Sequence, residues 1–559
     1  MSTALAPHLI RLLARLNGTE VAGLESCISA LCTALEQGHV CLPPESVGDE
    51  ATLRRFRASK VVGAPGDFRP LILDAAGRLY LQRYWDHENR LALNLLERGK
   101  RTPAFNAALL AEGVGKYLSG AEPAQRAAVE GAVARNFSVI TGGPGTGKTY
   151  TATVALILLA SHFAAAGMRA RIVIAAPTGK AAARIGESLK STLGNFQLPE
   201  AVHALLPTEA STVHRLLGSR PGSPDFKFGP GNPLNADVVV IDEATMVDLP
   251  LMARLFDALR PECRVLLLGD KDQLASVEAG HVLGDICSGL HDGSSGPLRA
   301  NITELTRNFR FGDDSNIHRL SRAIRTGNER SVRALLKTSR ADLAGTEISS
   351  HLAPLLAKRV VENYRAYLTA TTPEDALARF MDYRILTATR NGDGSAEQLN
   401  RLTERALADA KLIEPHDRYY AGRPIIIRRN DYNLRLFNGD IGIVRPDPES
   451  GNALRAFFSG EGGVLRALPP TRLPEHETAF AMTVHKSQGS EFRNVLVVLP
   501  PKDVPVLSRE LLYTAATRAR EHVEIWWNDA SLAPCIERVV QRFSGLRDRL
   551  WKPVSDTNG

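Results

Sequence analysis

At 559 residues the chain is too long for one hydrophobic core and divides, on size alone, into roughly three or four domains. Its 44% hydrophobic and 23% charged residues exclude a disordered chain, and no run approaches the roughly 18 apolar residues of a membrane span. A net charge of +7 suits a nucleic-acid partner but is too dilute over this length to identify one.

The N-terminal segment places Leu5, Leu9, Leu12, Leu13 and Leu16 on one helical face and Arg11 and Arg15 on the other. An Arg-bearing start can be a transit peptide, but no cleavage-like site follows, so a docking helix is expected. The helical pattern runs to about Leu42. Pro70 to Leu81 then reads as two short strands around a turn at Gly77, and Asp86 to Arg98 as a polar helix. Residues 1–110 are expected to form a mainly helical domain that packs against, or binds, protein. The six cysteines, Cys27, Cys32, Cys41, Cys263, Cys287 and Cys535, form no CxxC pair, which predicts buried thiols in a reducing cytoplasm rather than a zinc or iron–sulfur site.

Residues 111–335 carry the first α/β pattern. Gln125, in the first turn of a helix, has an amide that can pair with the edge of adenine. The apolar run Phe137–Ile140 leads into Gly142, Gly143, Pro144, Gly145, Thr146, Gly147, Lys148 and Thr149, followed by a helical segment. Strand, glycine loop and helix make a phosphate cradle: backbone N–H groups and the helix N-terminus face the phosphates, Lys148 reaches the β/γ-phosphates, and the Thr149 hydroxyl can hold Mg²⁺. ATP and Mg²⁺ are the expected ligands. A strand at Ile172–Ala175 breaks at Pro177, Thr178 and Gly179, and Ser211 to Gly218 contains Thr212 and His214. Arg220 to Pro233 is expected to be a loop or a short hairpin. Val238–Ile241 is a buried strand ending in Asp242, a metal ligand by position, and Glu243, placed to deprotonate water. A third strand, Val265–Leu268, leads to Gln273, a γ-phosphate sensor; Leu290 to Pro297 reads as a connector, and Arg310 is aimed at the γ-phosphate.

A second α/β pattern, over 336–559, begins at Arg384–Ala388. Between about 419 and 474, short strand signals and an Asn-Gly turn predict a small inserted β-barrel, with Asn430-Asp431-Tyr432 at its rim as either a ligand contact or an Asx turn. The polar loop from Thr483 through His485 to Glu491 can meet phosphate, and Arg518 can act as an arginine finger if the two domains close on one nucleotide.

Taken as a set, GGPGTGKT, APTGKAAAR, TVHRLLG, IDEATM, LGDKDQLASVEAGHVLGDIC, NFRFG, LFNGDIGI, AMTVHKSQGSEF and LYTAATRAR resemble the RecD family, the alpha subunits of exodeoxyribonuclease V, within the superfamily I helicases. The resemblance implies two RecA-like domains, an SH3-like insertion in the second, and ATP-dependent 5′→3′ translocation on single-stranded DNA beside RecB and RecC subunits during double-strand break processing. It also implies a DNA track at Pro177, Thr178, Thr212, His214, Thr483 and His485. Thr245 replaces the serine of many members and keeps the hydroxyl. No nuclease-like cluster separates from these motifs, so DNA cleavage is expected in a partner. Two alternatives are a stand-alone DNA or RNA helicase and a nucleotide-gated interaction protein that never translocates.

Overall fold

The computed structural model describes residues 5–220, 222–223, 225–290, 296–312, 315–348, 351–431, 433–460 and 464–552. Residues 291–295 of the connector expected from Leu290 to Pro297, Tyr432 and Gly463 lie outside them. Among the described residues no helix is long and apolar enough to cross a membrane.

Helices Leu5–Asn17 and Leu24–Glu36 pack with a three-stranded sheet of β1 (Val62–Gly63), β2 (Leu71–Leu73) and β3 (Leu79–Leu81) around Leu13, Leu31 and Phe56. Gly77, at φ +81°, forms the expected turn between β2 and β3. The following helix runs from Gln82 to Lys100, a turn longer than the polar pattern predicts at its start, because Trp85 is needed in the core. Trp85, Leu91 and Leu95 join the hydrophobic cluster of the next domain, so 1–110 is not a free-standing unit.

The first α/β domain is a six-stranded sheet of β4 (Phe137–Gly142), β5 (Ile172–Ala176), β6 (Ala210–Thr212), β7 (Val238–Ile241), β8 (Arg264–Gly269) and β9 (Ile302–Leu305). Its order is β6-β5-β7-β8-β4-β9 and every pairing is parallel. Such strands are covered on both faces, which is why Val238–Ile241 is buried throughout. The register aligns Gly142 with Leu305, Thr141 with Gly269, and Ala176 with Thr212, so all the polar strand exits share one edge.

The second α/β domain has β10 (Leu343–Glu347), β11 (Tyr383–Thr387), the insertion, and then β17 (Ala481–Thr483), β18 (Phe492–Val498) and β19 (Ala519–Trp527), in parallel order β10-β19-β18-β11-β17. The insertion is an antiparallel five-stranded sheet of β12 (Arg423–Ile427), β13 (Ile441–Asp447), β14 (Ala453–Ser459), β15 (Leu465–Leu468) and β16 (His476–Thr478). It extends past the predicted end at 474 because β16 pairs with β12. Phe437 to Asp440 carries the expected Asn-Gly turn, Asn438-Gly439, before β13, its Asp440 carboxylate accepting the Phe437 N–H at 2.7 Å.

Two expected boundaries are corrected. Helices Asn316–Arg325 and Glu329–Leu336 place Ile317, Leu320 and Leu336 in the second domain's core, so the chain crosses over near Phe311 rather than at 335/336. At the other end, the helix Leu546–Trp551 leaves the second domain and buries Leu546, Leu550 and Trp551 in the first domain's cluster. Its path is fixed by polar contacts: Glu88, fully buried, accepts from Gly545 N–H at 2.8 Å and from Arg549 at 3.1 Å, and Arg78 pairs with Asp548 at 2.7 Å. All six cysteines are buried free thiols.

Candidate active site and nucleic-acid interface

The glycine loop lies between β4 and the helix Lys148–Ala165. Gly145 and Gly147 adopt φ of +82° and +83°, a region closed to most side chains. A Cβ on Gly145 would lie 2.5 Å from the Arg310 Cβ, and one on Gly147 would lie 2.7 Å from the Gln125 amide nitrogen. Thr146 Oγ1 donates to the Gly143 carbonyl at 2.8 Å, and the Lys148 ammonium donates to the carbonyls of Gly142 and Gly143 at 2.6 and 3.0 Å.

Around this loop is a cleft of about 360 Å³ lined from both α/β domains. The first contributes Pro144, Gly145, Gly147, Lys148, Thr149, Arg184, Asp242, Glu243, Gln273 and Arg310, and the second Gly489, Glu491 and Arg518. Glu243 has φ +50°, a strained conformation that turns the chain sharply after β7. Burial, and then the Glu243 carboxylate, push Asp242 above the usual carboxylate range, against the Glu243 backbone hydrogen bond and the charges of Lys148 and Arg184. Thr245 Oγ1 donates to the Asp270 carbonyl at 3.0 Å and accepts the Asp270 N–H at 3.2 Å, tying the exit of β7 to that of β8. A serine could make both bonds.

Gln273 is buried beside the cleft. Its amide donates to Asp270 Oδ2 at 2.9 Å, and its carbonyl accepts from Arg518 Nη2 at 2.7 Å. Arg518, 2% exposed, also donates to Thr514 O at 3.3 Å and Ser490 O at 3.1 Å. Tyr513, one helical turn earlier, donates to Asp270 Oδ2 at 3.0 Å and stands 2.8 Å from the Cβ position of Gly143. The second domain therefore touches the phosphate loop itself.

Gln125 is the expected site residue placed least as predicted. It is 5% exposed and does not line the cleft; its amide donates to Thr151 at 3.4 Å and packs under Gly147.

Three cleft residues, Phe309, Arg184 and Glu491, and Asn308 beside them, are missing from the expected site. Asn308 accepts the N–H groups of Arg310 and Phe311 at 2.9 and 2.8 Å and donates to Pro144 O at 2.7 Å, fastening this strand exit to the phosphate loop. Phe309 is 51% exposed on the cleft wall, an unusual place for a large apolar ring. Arg184 and Glu491 form an ion pair of 2.5 Å between domains, and Glu491 also holds Arg310 at 2.6 Å and Arg520 at 3.1 Å. An aromatic directly before a phosphate-directed arginine is a sequence signal for Phe309. The pairing of Arg184 with Glu491 leaves no local signal.

The expected track residues sit at strand exits. Thr178 and Thr212 cap the helices that follow β5 and β6, each Oγ1 accepting a backbone N–H at 3.2 Å. Thr483, ending β17, likewise accepts from Lys486 N–H at 3.4 Å. A hydroxyl that accepts from its own backbone keeps its O–H to donate outward. His214 is exposed and lies against Phe226, 5.9 Å between ring centres. His485 is half-buried; burial, then Arg542, lower its imidazole, so it is neutral at pH 7. The two halves meet where the Cβ position of Gly489 comes 3.9 Å from Thr178 Oγ1. The turn at Phe437 reaches the same place: Phe437 lies 3.3 Å from the Cβ position of Gly179, with the Arg215 guanidinium 4.7 Å above its ring. Asp431 is taken up in an Asx turn, accepting from Asn433 and Leu434 N–H at 3.0 and 2.9 Å. Of the stretch Arg220 to Pro233, residues 221 and 224 lie outside the described residues, and the isolated bridges Ser219–Phe226 and Gly229–Asn232 suit the expected short hairpin.

The donor set suits a magnesium nucleotide. The loop can pack this closely against Arg310 and Gln125 because Gly145 and Gly147 lack Cβ atoms, and a hydroxyl and two carboxylates line the same cleft.

Comparison with known families agrees with this arrangement. Residues 125–279 match an AAA domain and 478–525 a UvrD-like helicase C-terminal domain. The chain is 37% identical to the RecBCD enzyme subunit RecD of Mycolicibacterium smegmatis, covering 97% of this chain and 96% of that one. It is 39% identical to the RecBCD enzyme subunit RecD of Mycobacterium tuberculosis strain H37Rv, covering 94% and 88%. It is 30% identical to the ATP-dependent RecD2 DNA helicase of Deinococcus radiodurans, covering 80% of this chain and 54% of that protein.

Proposed function

The chain belongs to the RecD family, and on that premise we propose that it is the ATP-dependent 5′→3′ DNA helicase subunit of a RecBCD-type enzyme, working on single-stranded DNA beside RecB and RecC subunits in the cytoplasm during double-strand break repair. The observation that carries the mechanism is the meeting of Gln273 and Arg518, one from each domain, in the cleft that holds the phosphate loop. A nucleotide bound there is gripped from both sides, so its hydrolysis state sets the distance between two halves of a DNA track.

The parallel sheets are read as RecA-like domains and the 423–478 sheet as the SH3-like insertion. Lys148 and the loop N–H groups bind the phosphates, and Phe309 offers a face for the base, with Gln125 supporting the loop from below. Thr149 and Asp242 would hold Mg²⁺, which when bound neutralises phosphate charge and aligns the γ-phosphate. Glu243 accepts the proton of the attacking water; Arg310 and Arg518 stabilise the charge that develops on the transferred group. Thr178, Thr212, Thr483, Pro177, His214 and His485 line the strand. Closing and reopening the cleft moves one set of contacts past the other, a two-domain inchworm. Backbone grip dominates such a track, so sequence preference is weak and affinity falls steeply with salt.

The test is ATPase rate with and without single-stranded DNA, on the chain alone and with co-purified proteins. Strong stimulation with recovery of two large partners is expected, and a Lys148→Ala chain should be folded and inactive. Stimulation without partners would indicate a stand-alone helicase; no stimulation in either preparation would reject translocation.

A further inference from the structure

Glu491 is 6% exposed and its two oxygens serve three guanidinium groups: Oε1 takes Arg184 at 2.5 Å and Arg310 at 2.6 Å, and Oε2 takes Arg520 at 3.1 Å. Burial alone would raise its carboxyl, but Arg184 and then Arg310 outweigh that and hold it far below the usual carboxylate range. It is therefore a permanent anion. Arg310, whose side chain lines the cleft, uses Nη2 for this bond, while its Nη1 is buried with no hydrogen-bond partner among the described residues. A buried charged donor left unpaired is costly, and a ligand that accepts from it removes that cost.

We propose that Glu491 is a positioning residue for phosphoryl transfer: by fixing Nη2 of Arg310 it presents Nη1 to the terminal phosphate of the nucleotide. The inference rests on the nucleotide site proposed above and adds a condition to it. Arg310 leaves the first domain's sheet, whereas Glu491 belongs to the second, so the arginine is aimed only while the cleft is closed. Arg184 enters the same arrangement from the helix that Thr178 caps, which anchors the carboxylate to the first domain by a second bond.

The test is steady-state ATPase of the full chain, with ADP and ATPγS binding measured alongside. Glu491→Gln keeps the shape and an acceptor but loses the charge. It should lower kcat about 10- to 100-fold and weaken ATPγS several-fold, with ADP affinity within twofold, because a diphosphate does not reach Arg310. Glu491→Asp should retain more activity than the amide. In an Arg310→Ala background, Glu491→Gln should cost less than about threefold more. A full loss in that background, an equal weakening of ADP and ATPγS, or tighter ATPγS binding would overturn the proposal. Should the glutamine variant fail to fold, Glu491→Asp, which keeps the charge but draws the carboxylate back by one methylene, tests the aim alone: a smaller fall in kcat with the same weakening of ATPγS relative to ADP is expected, and its absence, or its persistence in the Arg310→Ala background, would overturn the proposal. A Lys148→Ala chain that binds both nucleotides normally would instead overturn the nucleotide site itself.

Discussion

The Gln273 carbonyl accepts a hydrogen bond from Arg518 Nη2 at 2.7 Å, joining two side chains that belong to different domains. The same Gln273 amide is held by Asp270, so its orientation is set from both ends. Arg518→Ala should lower kcat by about 10³-fold or more, as for arginine fingers generally, and Gln273→Ala by about 10- to 100-fold. The double variant should lose less than the product of the two, and strictly multiplicative losses would show that the pair does not act as a unit.

Thr178 and Thr483 each accept from a backbone N–H and keep a hydroxyl hydrogen to donate, one at each half of the proposed track. Replacing either by Val should weaken single-stranded DNA about 3- to 10-fold, equally for all sequences, while Ser should restore binding. Fluorescence anisotropy with oligonucleotides of differing composition measures this. A loss confined to one sequence would argue for base reading.

Asp285 accepts from the Ser544 hydroxyl at 2.8 Å beneath the C-terminal helix, and burial pushes its carboxyl up to about 7. The unfolded chain has this group near 3.9. Between those values the folded state binds the extra proton, so stability is fullest below about pH 4 and is lost as pH rises through 7. Asp285→Asn mimics the protonated form. It should be more stable than the wild type at pH 8, by ~1–3 kcal/mol, with the difference shrinking at pH 5. Thermal denaturation at the two pH values checks the sign, and a gap that widens on acidification would refute it.

Thr245 makes two bonds through one hydroxyl, so its replacement by Val leaves the Asp270 N–H unpaired and the Asp270 carbonyl with the Gln273 N–H alone, at 3.1 Å. The expected cost is about 1–3 kcal/mol in chemical denaturation, against less than about 1 for Thr245→Ser.

What the sequence determined by itself is what local chemistry dictates. The phosphate loop needs glycines at Gly145 and Gly147 because backbone φ and the absence of a Cβ are properties of single residues. The β-branched run before Asp242 signals a buried strand, and a parallel sheet puts such carboxylates on the loop's edge. Lys148, Thr149, Asp242, Glu243, Gln273, Arg310 and Arg518 were legible for that reason, and all line one cleft. Gln125 was read as facing the base because its helix position allows that, but only packing decides which way a buried amide turns.

Tertiary structure decided the rest. The crossover near Phe311 lies inside a stretch with no change of period, so nothing local separates helix Asn316–Arg325 from the first domain. The return of Leu546–Trp551 to the first domain depends on Gly289 and Gly296 leaving room for the Trp551 ring and on the buried Glu88 receiving Arg549. Glu491 meets Arg184 and Arg310 only because the two sheets face each other across the cleft. Charge pairing between residues distant in the chain has no periodicity or spacing to betray it; its strength comes from burial, which exists only once the chain has folded.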